Sequence, residues 1–194
     1  MVQSGGLSGS KSHASNKHLA FNTSGARSAT SYTLSPKGLH LLEKIEHYRP
    51  SPYDDQTSKT ITAWVKGATI GYGHLIAKTE WHKYAKGITQ PQAETLFKNE
   101  LSDYVTAVKN HVTSLIAQHE FDALVIFSYN IGAHAFIHSN VLKLINNPKA
   151  KTPYSNLEQA WKAWDKSQGK VNLGLKHRRQ SEWNIYSKNI YKKW

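Results

Sequence analysis

From residue 36 onward the apolar positions follow a helical rhythm that is interrupted once. Leu39, Leu42 and Ile45 recur at helical spacing behind Ser35-Pro36, an N-cap followed by proline at the first helical position. Pro50 and Pro52 stop that helix and leave Glu46 at its end. From Thr60 to Val65 the β-branched and aromatic residues suit a strand. Lys66-Gly67 reads as a turn before Ala68-Thr69-Ile70, which predicts a small hairpin or three-stranded sheet. After His74 the rhythm is helical to the end. Thr89-Gln90-Pro91-Gln92 has the form of a capping box. Behind it Ala93, Leu96, Phe97, Leu101, Tyr104, Val105 and Val108 mark one long amphipathic helix. Glu120 to Ile131 contains an apolar run that predicts a buried core helix closed by Gly132. Shorter helices are expected from Ser139 to Ile145 and from Leu157 to Trp164. A last one is expected from about Asn172 to Tyr186, after a break at Ser167-Gln168-Gly169. These elements predict an α+β fold, with a small sheet lobe near the N-terminal end and a larger helical lobe. No internal repeat is present.

Residues 1–34 follow neither rhythm. They are rich in Ser, Gly, Ala, Asn and Thr, with three bases (Lys11, Lys17, Arg27) and no acid. Such a composition cannot bury enough apolar surface to offset its ordering entropy. A flexible tail is therefore expected over 1–34 and a folded domain over 35–194. The tail suits a remnant, a linker or a docking segment for a delivery apparatus, and His13 and His18 are expected to be solvated.

Composition narrows the chemistry. At 194 residues and 39% apolar, the chain supports one compact domain. Cysteine is absent, which excludes a disulfide framework, a thiol nucleophile and a Cys-based zinc site. Lys and Arg number 25 against 13 acids, a formal charge of +12 that attracts polyanions such as nucleic acid, anionic lipid or an acidic cell-wall polymer. No run is long and apolar enough to cross a membrane. The first residues lack the apolar core of a signal peptide, so synthesis in the cytoplasm with another route outward is expected.

The candidate chemistry lies between Ile45 and Leu75. Glu46 and Asp55 are separated by eight residues that include two prolines. A helix end joined to a turn can set two carboxylates across a cleft, one to protonate a leaving oxygen and one to act on water or carbon. An acid emerging from an apolar helix face suits the first role. The residues around this pair carry more information. Glu46, Tyr53, Asp55 and the run Thr69-Ile70-Gly71-Tyr72-Gly73-His74 resemble the signature of phage-type lysozymes, the T-even phage lysozyme family of glycoside hydrolases (family 24). The likeness continues through the Thr89 to Leu101 helix, the segment FSYNIGAHAFIHSNVLKLIN, and the closing segment SQGKVNLGLKHRRQSEWNIY.

That resemblance implies a lysozyme-like fold with the active-site cleft between its lobes. It implies a peptidoglycan muramidase that cleaves the β-1,4 bond between N-acetylmuramic acid and N-acetylglucosamine with inversion. Glu46 matches the general acid, Asp55 the carboxylate that orients water, and Thr69 the hydroxyl that helps to hold it. No metal or organic cofactor is implied. Asp54 is the alternative to Asp55, though the count from Glu46 and the adjacent Tyr53 favour Asp55. One departure stands out: thirteen residues separate Asp55 from Thr69, more than the family usually has. They must lengthen the hairpin or add a flap over the cleft, with Trp64 as a candidate glycan contact and Thr60 or Thr62 as alternatives nearer Asp55.

Other residues carry two readings each. Gly71 and Gly73 lack the rest of a phosphate-binding loop and suit tight turns. His74 suits a structural hydrogen bond better than catalysis. Tyr72 either lines the sugar cleft or packs in the core, and Asn130 either reaches the saccharide or caps its own helix. Trp161 and Trp164 suit the core. Lys166 to Trp194 carries eight Lys or Arg against one acid, Glu182, which reads as a solvated basic face or an attractor for anionic cell wall. No nucleic-acid-binding motif accompanies this charge; the resemblance implies bacterial peptidoglycan as the partner, and an effector role would add an immunity or inhibitor protein. The same activity also suits a phage endolysin or a secreted antibacterial effector, and a wall-binding module without catalysis is the rival from another class.

Overall fold

A computed structural model describes residues 25–194. The expected tail from 1 to 34 is corrected in part: residues 1–24 lie outside the described residues, but 25–34 belong to the fold. Arg27 and Ile116 exchange backbone hydrogen bonds of 2.9 and 3.0 Å. Ala29 and Tyr32 are buried, and the Tyr32 hydroxyl donates to the Ile116 carbonyl at 2.8 Å. One aromatic anchor with a bonded hydroxyl orders a stretch that average composition assigned to a tail.

Helix α1 (Pro36–Glu46) starts where expected. Ser35 Oγ accepts from the Gly38 N–H at 3.1 Å. Gly38 lets α1 lie close to its neighbour, because a Cβ there would stand 2.8 Å from Leu34 Cδ1 and 3.0 Å from Asp122 Cγ. Leu41 and Leu42 face the core, and His47, at φ +57°, turns the chain away immediately after Glu46.

The sheet differs from expectation at one strand. It contains β1 (Arg49–Asp54), β2 (Ala68–Gly71) and β3 (His74–Leu75), antiparallel and in that order. The strand expected over Thr60–Val65 is absent, and the proline-bearing segment is the strand instead. Proline is tolerated at a sheet edge where no N–H is needed. The carbonyls of Pro50 and Pro52 accept from the N–H groups of Ile88 and Ile61, both at 2.9 Å. Their nitrogens therefore lie along the edge turned away from β2. Residues 56–66 form a loop whose ends are drawn together by the Asp55 N–H donating to the Gly67 carbonyl at 3.1 Å. Ile61 and Trp64 fold inward from that loop onto Ala68, Ile70 and Ile76, a small core under the sheet. Strand propensity here reflected burial rather than pairing.

The remaining elements are α2 (Trp81–Tyr84), α3 (Gln90–His111), α4 (Gln118–Ile131), α5 (Ala133–Ile137), α6 (Asn140–Asn146), α7 (Leu157–Lys162) and α8 (Leu173–Lys188). A two-stranded hairpin, β4 (Lys166–Ser167) and β5 (Lys170–Val171), precedes α8. The capping box at Thr89 forms as read. Helix α3 touches β2 near its start and α4 farther along, so it ties the sheet to the helical part. Residues Phe121 to Ser128 of α4 are all buried, which makes α4 the axis of the helical lobe. Around it pack Leu42, Phe97, Leu101, Trp161 and Ile185. Ile88 packs on both the large core and the small one. Among the described residues no helix is long and apolar enough to cross a membrane.

Candidate active site

Glu46 is the last residue of α1, and its side chain remains 21% exposed. Its Oε1 accepts from Arg178 Nη1 of α8 at 2.9 Å. Arg178 is itself held from behind: its Nε donates to Glu182 Oε1 at 3.2 Å, one helical turn on. Glu182 is 1% exposed; it also accepts from the Trp161 indole N–H at 3.0 Å and forms an ion pair with Arg179, whose Nε lies 3.3 Å away. Burial lowers the Arg179 pKa, and the Glu182 charge opposes that shift. A buried carboxylate flanked by two guanidiniums is satisfied only if all members are present. The network fixes where Arg178, and hence the Glu46 carboxyl, can be.

The second group of candidates lies on the sheet. Thr69 stands directly opposite Tyr53 in the β1–β2 register. Side chains directly opposite in an antiparallel pair share a face, so Tyr53 lies on the face that carries Thr69, and Asp55 follows in the turn after β1. The position opposite Asp55 is Gly67, whose carbonyl takes the Asp55 N–H. At φ +96° Gly67 adopts a conformation other residues avoid, and a Cβ there would fall 2.3 Å from Asp55 Oδ1. The missing side chain gives the Asp55 carboxylate its space. Thr69 is buried at 5% exposure and its hydroxyl donates to the Gly67 carbonyl at 2.9 Å, leaving its oxygen as an acceptor. Asp54 is occupied otherwise: it accepts from the Gln56 N–H at 3.0 Å and the Thr57 hydroxyl at 2.9 Å and so closes the turn at the start of the loop.

Tyr53 links the two groups. Its phenol pKa is raised, first by burial, then by the charges of Glu46 and Asp55, against the opposing Arg49 guanidinium. Both carboxylates therefore act on one hydroxyl. Arg49 lies 3.9 Å over the Tyr53 ring and also donates to the Ser58 carbonyl at 3.0 Å, which fixes ring and loop together. Tyr129 of α4 is a second phenol near Glu46. Burial raises its pKa strongly, and Glu46 adds to the shift, while Arg178 opposes it. Its hydroxyl donates to the Tyr72 carbonyl at 3.3 Å.

The three expected substrate contacts are placed differently from one another. Tyr72 is 5% exposed, with its ring between Tyr48 and Phe97 and its hydroxyl accepting from Gln90 Nε2 at 3.3 Å. It is packed in the core rather than open to a ligand, because it sits in the tight Gly71–Gly73 turn against α3. Trp64 directs its indole N–H to the Ile76 carbonyl at 2.9 Å and braces the loop from within. Asn130 is exposed at the end of α4, and its Oδ1 accepts from the Arg179 guanidinium rather than capping its own helix. That bond turns its amide NH2 outward. His74 pairs with Glu100 of α3, a tie between sheet and helix. An open cavity of about 480 Å³ lined by Lys83, Tyr84, Pro91 and Leu96 shares no residue with this site.

Arg178 and Glu182 were not assigned roles in the site from the sequence, Tyr53 served only to locate Asp55, and Gly67 was read only as a turn residue. Arg178 and Glu182 lay in the closing segment that resembles the family, with opposite charges four apart on an expected helix, inside a stretch also read as a solvated basic face or an attractor for anionic cell wall.

Comparison with known proteins identifies the family and the fold. The phage lysozyme family profile matches residues 43–182, which include Glu46, Asp55, Thr69, Arg178 and Glu182. The endolysin of Bacillus phage PZA is 30% identical over 154 residues, 79% of this chain and 55% of the relative. The chain thus spans about half the length of that relative. The structure of the endolysin from Escherichia coli O157:H7 phage FAHEc1 superposes with a TM-score of 0.66 at 29% identity, covering 84% of this chain and 98% of the other. The muramidase domain of SpmX from Asticaccaulis excentricus gives 0.63 at 28% identity, covering 80% and 98%. The lysozyme-like fold, with its small sheet and larger helical part, is shared with both. The chain belongs to the phage lysozyme family.

Proposed function

We propose that the chain is a peptidoglycan muramidase that hydrolyses the β-1,4 bond from N-acetylmuramic acid to N-acetylglucosamine and so weakens the bacterial cell wall. The observation that carries this reading is the Arg178–Glu46 contact at the end of α1, together with a sheet that carries Thr69 opposite Tyr53 and holds Asp55 against Gly67 at its end. A wall-binding surface has no use for an acid anchored through a buried network.

In the proposed reaction Arg178 holds Oε1 of Glu46, so the proton to be transferred is on Oε2. That proton passes to the glycosidic oxygen as its bond to C1 of the muramic acid breaks. Water attacks C1 from the side of the sheet, held by the Thr69 oxygen and losing its proton to Asp55. An inverting course follows, since water and leaving group take opposite faces. Tyr53, neutral at working pH, donates a hydrogen bond into the same space. Asn130 is the contact candidate the geometry supports best, because its outward NH2 can donate to a sugar oxygen or amide carbonyl. Trp64 acts through the loop it braces, and Tyr72 by backing Tyr129.

Digesting purified peptidoglycan and identifying the new reducing sugar by mass spectrometry tests this reading. Reducing N-acetylmuramic acid is expected. Reducing N-acetylglucosamine, or binding without new reducing ends, contradicts it.

A further inference from the structure

The segment after the Asn130–Gly132 turn carries chemistry that glycoside cleavage does not use. His134 lies on α5 and His138 is the C-cap residue of the same helix, one turn on. Residues four apart share a helix face, and both imidazoles are exposed. Their ring centroids are 4.6 Å apart, with the planes inclined at 57°. The backbone beneath them is firmly held. The Phe136 ring is buried, its N–H donates to the Gly132 carbonyl at 2.9 Å, and its carbonyl accepts from the Ser139 hydroxyl at 2.7 Å.

That spacing suits chelation. A metal–nitrogen bond of about 2.0–2.1 Å places an imidazole centroid about 3.2 Å from the ion, so rings 4.6 Å apart that each turn a nitrogen to a shared ion would subtend about 90° there. This is the cis angle of a tetragonal or octahedral site rather than of a tetrahedron, and two nitrogen donors at that angle suit copper(II) or nickel(II). Among the described residues no group of three or more His, Cys, Asp and Glu side chains is gathered to hold a metal ion. A two-donor site would therefore keep water in its other positions.

We propose that His134 and His138 form a chelate for a divalent transition metal ion, with copper(II) the strongest binder, separate from the hydrolytic machinery.

The test titrates the full chain with copper(II) and reads electron paramagnetic resonance. Because His13 and His18 are further imidazoles, a His13→Gln, His18→Gln background serves as reference. One equivalent should bind with hyperfine structure from two nitrogens. His134→Gln or His138→Gln should each weaken binding by roughly 10²-fold, the gain that joining two ligands at fixed spacing supplies. Both residues are exposed, so the variants should melt at the reference temperature without metal, and the rise in Tm on adding copper should vanish. An unchanged affinity or unchanged two-nitrogen signal in the double variant overturns the proposal, as does a one-nitrogen signal in the reference. Since the readout is metal binding, neither result depends on whether the chain cleaves peptidoglycan.

Discussion

Arg178 Nη1 stands 2.9 Å from Glu46 Oε1 and joins the last long helix to the end of the first. Arg178 reaches that point because Glu182, buried one turn farther on, holds its Nε. One guanidinium thus bridges a structural carboxylate and the candidate acid.

Arg178→Met should lower kcat by roughly 10²-fold, about 2.7 kcal/mol of transition-state stabilisation, with little change in KM. The effect is on orientation of Glu46 rather than on sugar binding. Arg178→Lys keeps the charge but cannot donate in two directions from a planar fork, so it should rescue less than a tenth of the lost rate. Steady-state kinetics on a soluble glycan fragment read the split. Full activity of the lysine variant would show that charge alone suffices.

Gly67 offers a separate test of Asp55. An alanine there suffers a φ of +96° and crowds the Asp55 carboxylate, whereas an alanine at Gly169, at φ +76°, meets no atom within 4 Å. Both variants should lose about 1–3 kcal/mol of stability from backbone strain. Only Gly67→Ala should lose tenfold or more in kcat, because only there must Asp55 swing aside. Equal activities in the two variants would remove Asp55 from the reaction.

Much of this was legible in the residues. Ser35-Pro36 and the box at Thr89 announced two helix starts, and IGYGH located the turn between β2 and β3. Glu46, Asp55 and Thr69 became candidates through their resemblance to a family signature, since the spacing of two carboxylates alone is common on surfaces. The β1 strand was hidden because its prolines look like breakers until their outward edge is known. The loop residues Thr60 to Val65 looked like a strand because small cores and strands select the same side chains. Arg178 was hidden by its composition: two arginines in a basic segment read as surface, and burial of both at 6% and 0% exposure depends on Glu182 and Asn130 meeting them from other turns and helices. Tail residues 25–34 were missed because one tyrosine outweighed the surrounding serines and glycines.

Buried phenols set an alkaline limit. Burial holds the pKa values of Tyr129, Tyr186 and Tyr191 well above the usual phenol range, and for Tyr191 the bond it donates to the Asp122 carboxylate adds to the shift. Above pH of about 10 the unfolded chain releases protons that the folded chain keeps, so unfolding stability should fall as pH rises, by up to roughly 1.4 kcal/mol per unit for each tyrosine. Below that pH these groups contribute no slope. Urea unfolding between pH 8 and 11 reads this directly. A flat profile through pH 11 would contradict the burial of these hydroxyls.

In the proposed reaction Glu46 donates the proton that breaks the glycosidic bond. Wild type and Glu46→Gln should be compared on purified peptidoglycan, following turbidity and new reducing ends, with sedimentation to confirm that both bind and a melting curve to confirm that both fold. The account predicts clearing and reducing muramic acid ends from wild type, and at least a 10³-fold slower rate from a folded, binding variant. Equal rates from the two proteins would contradict it.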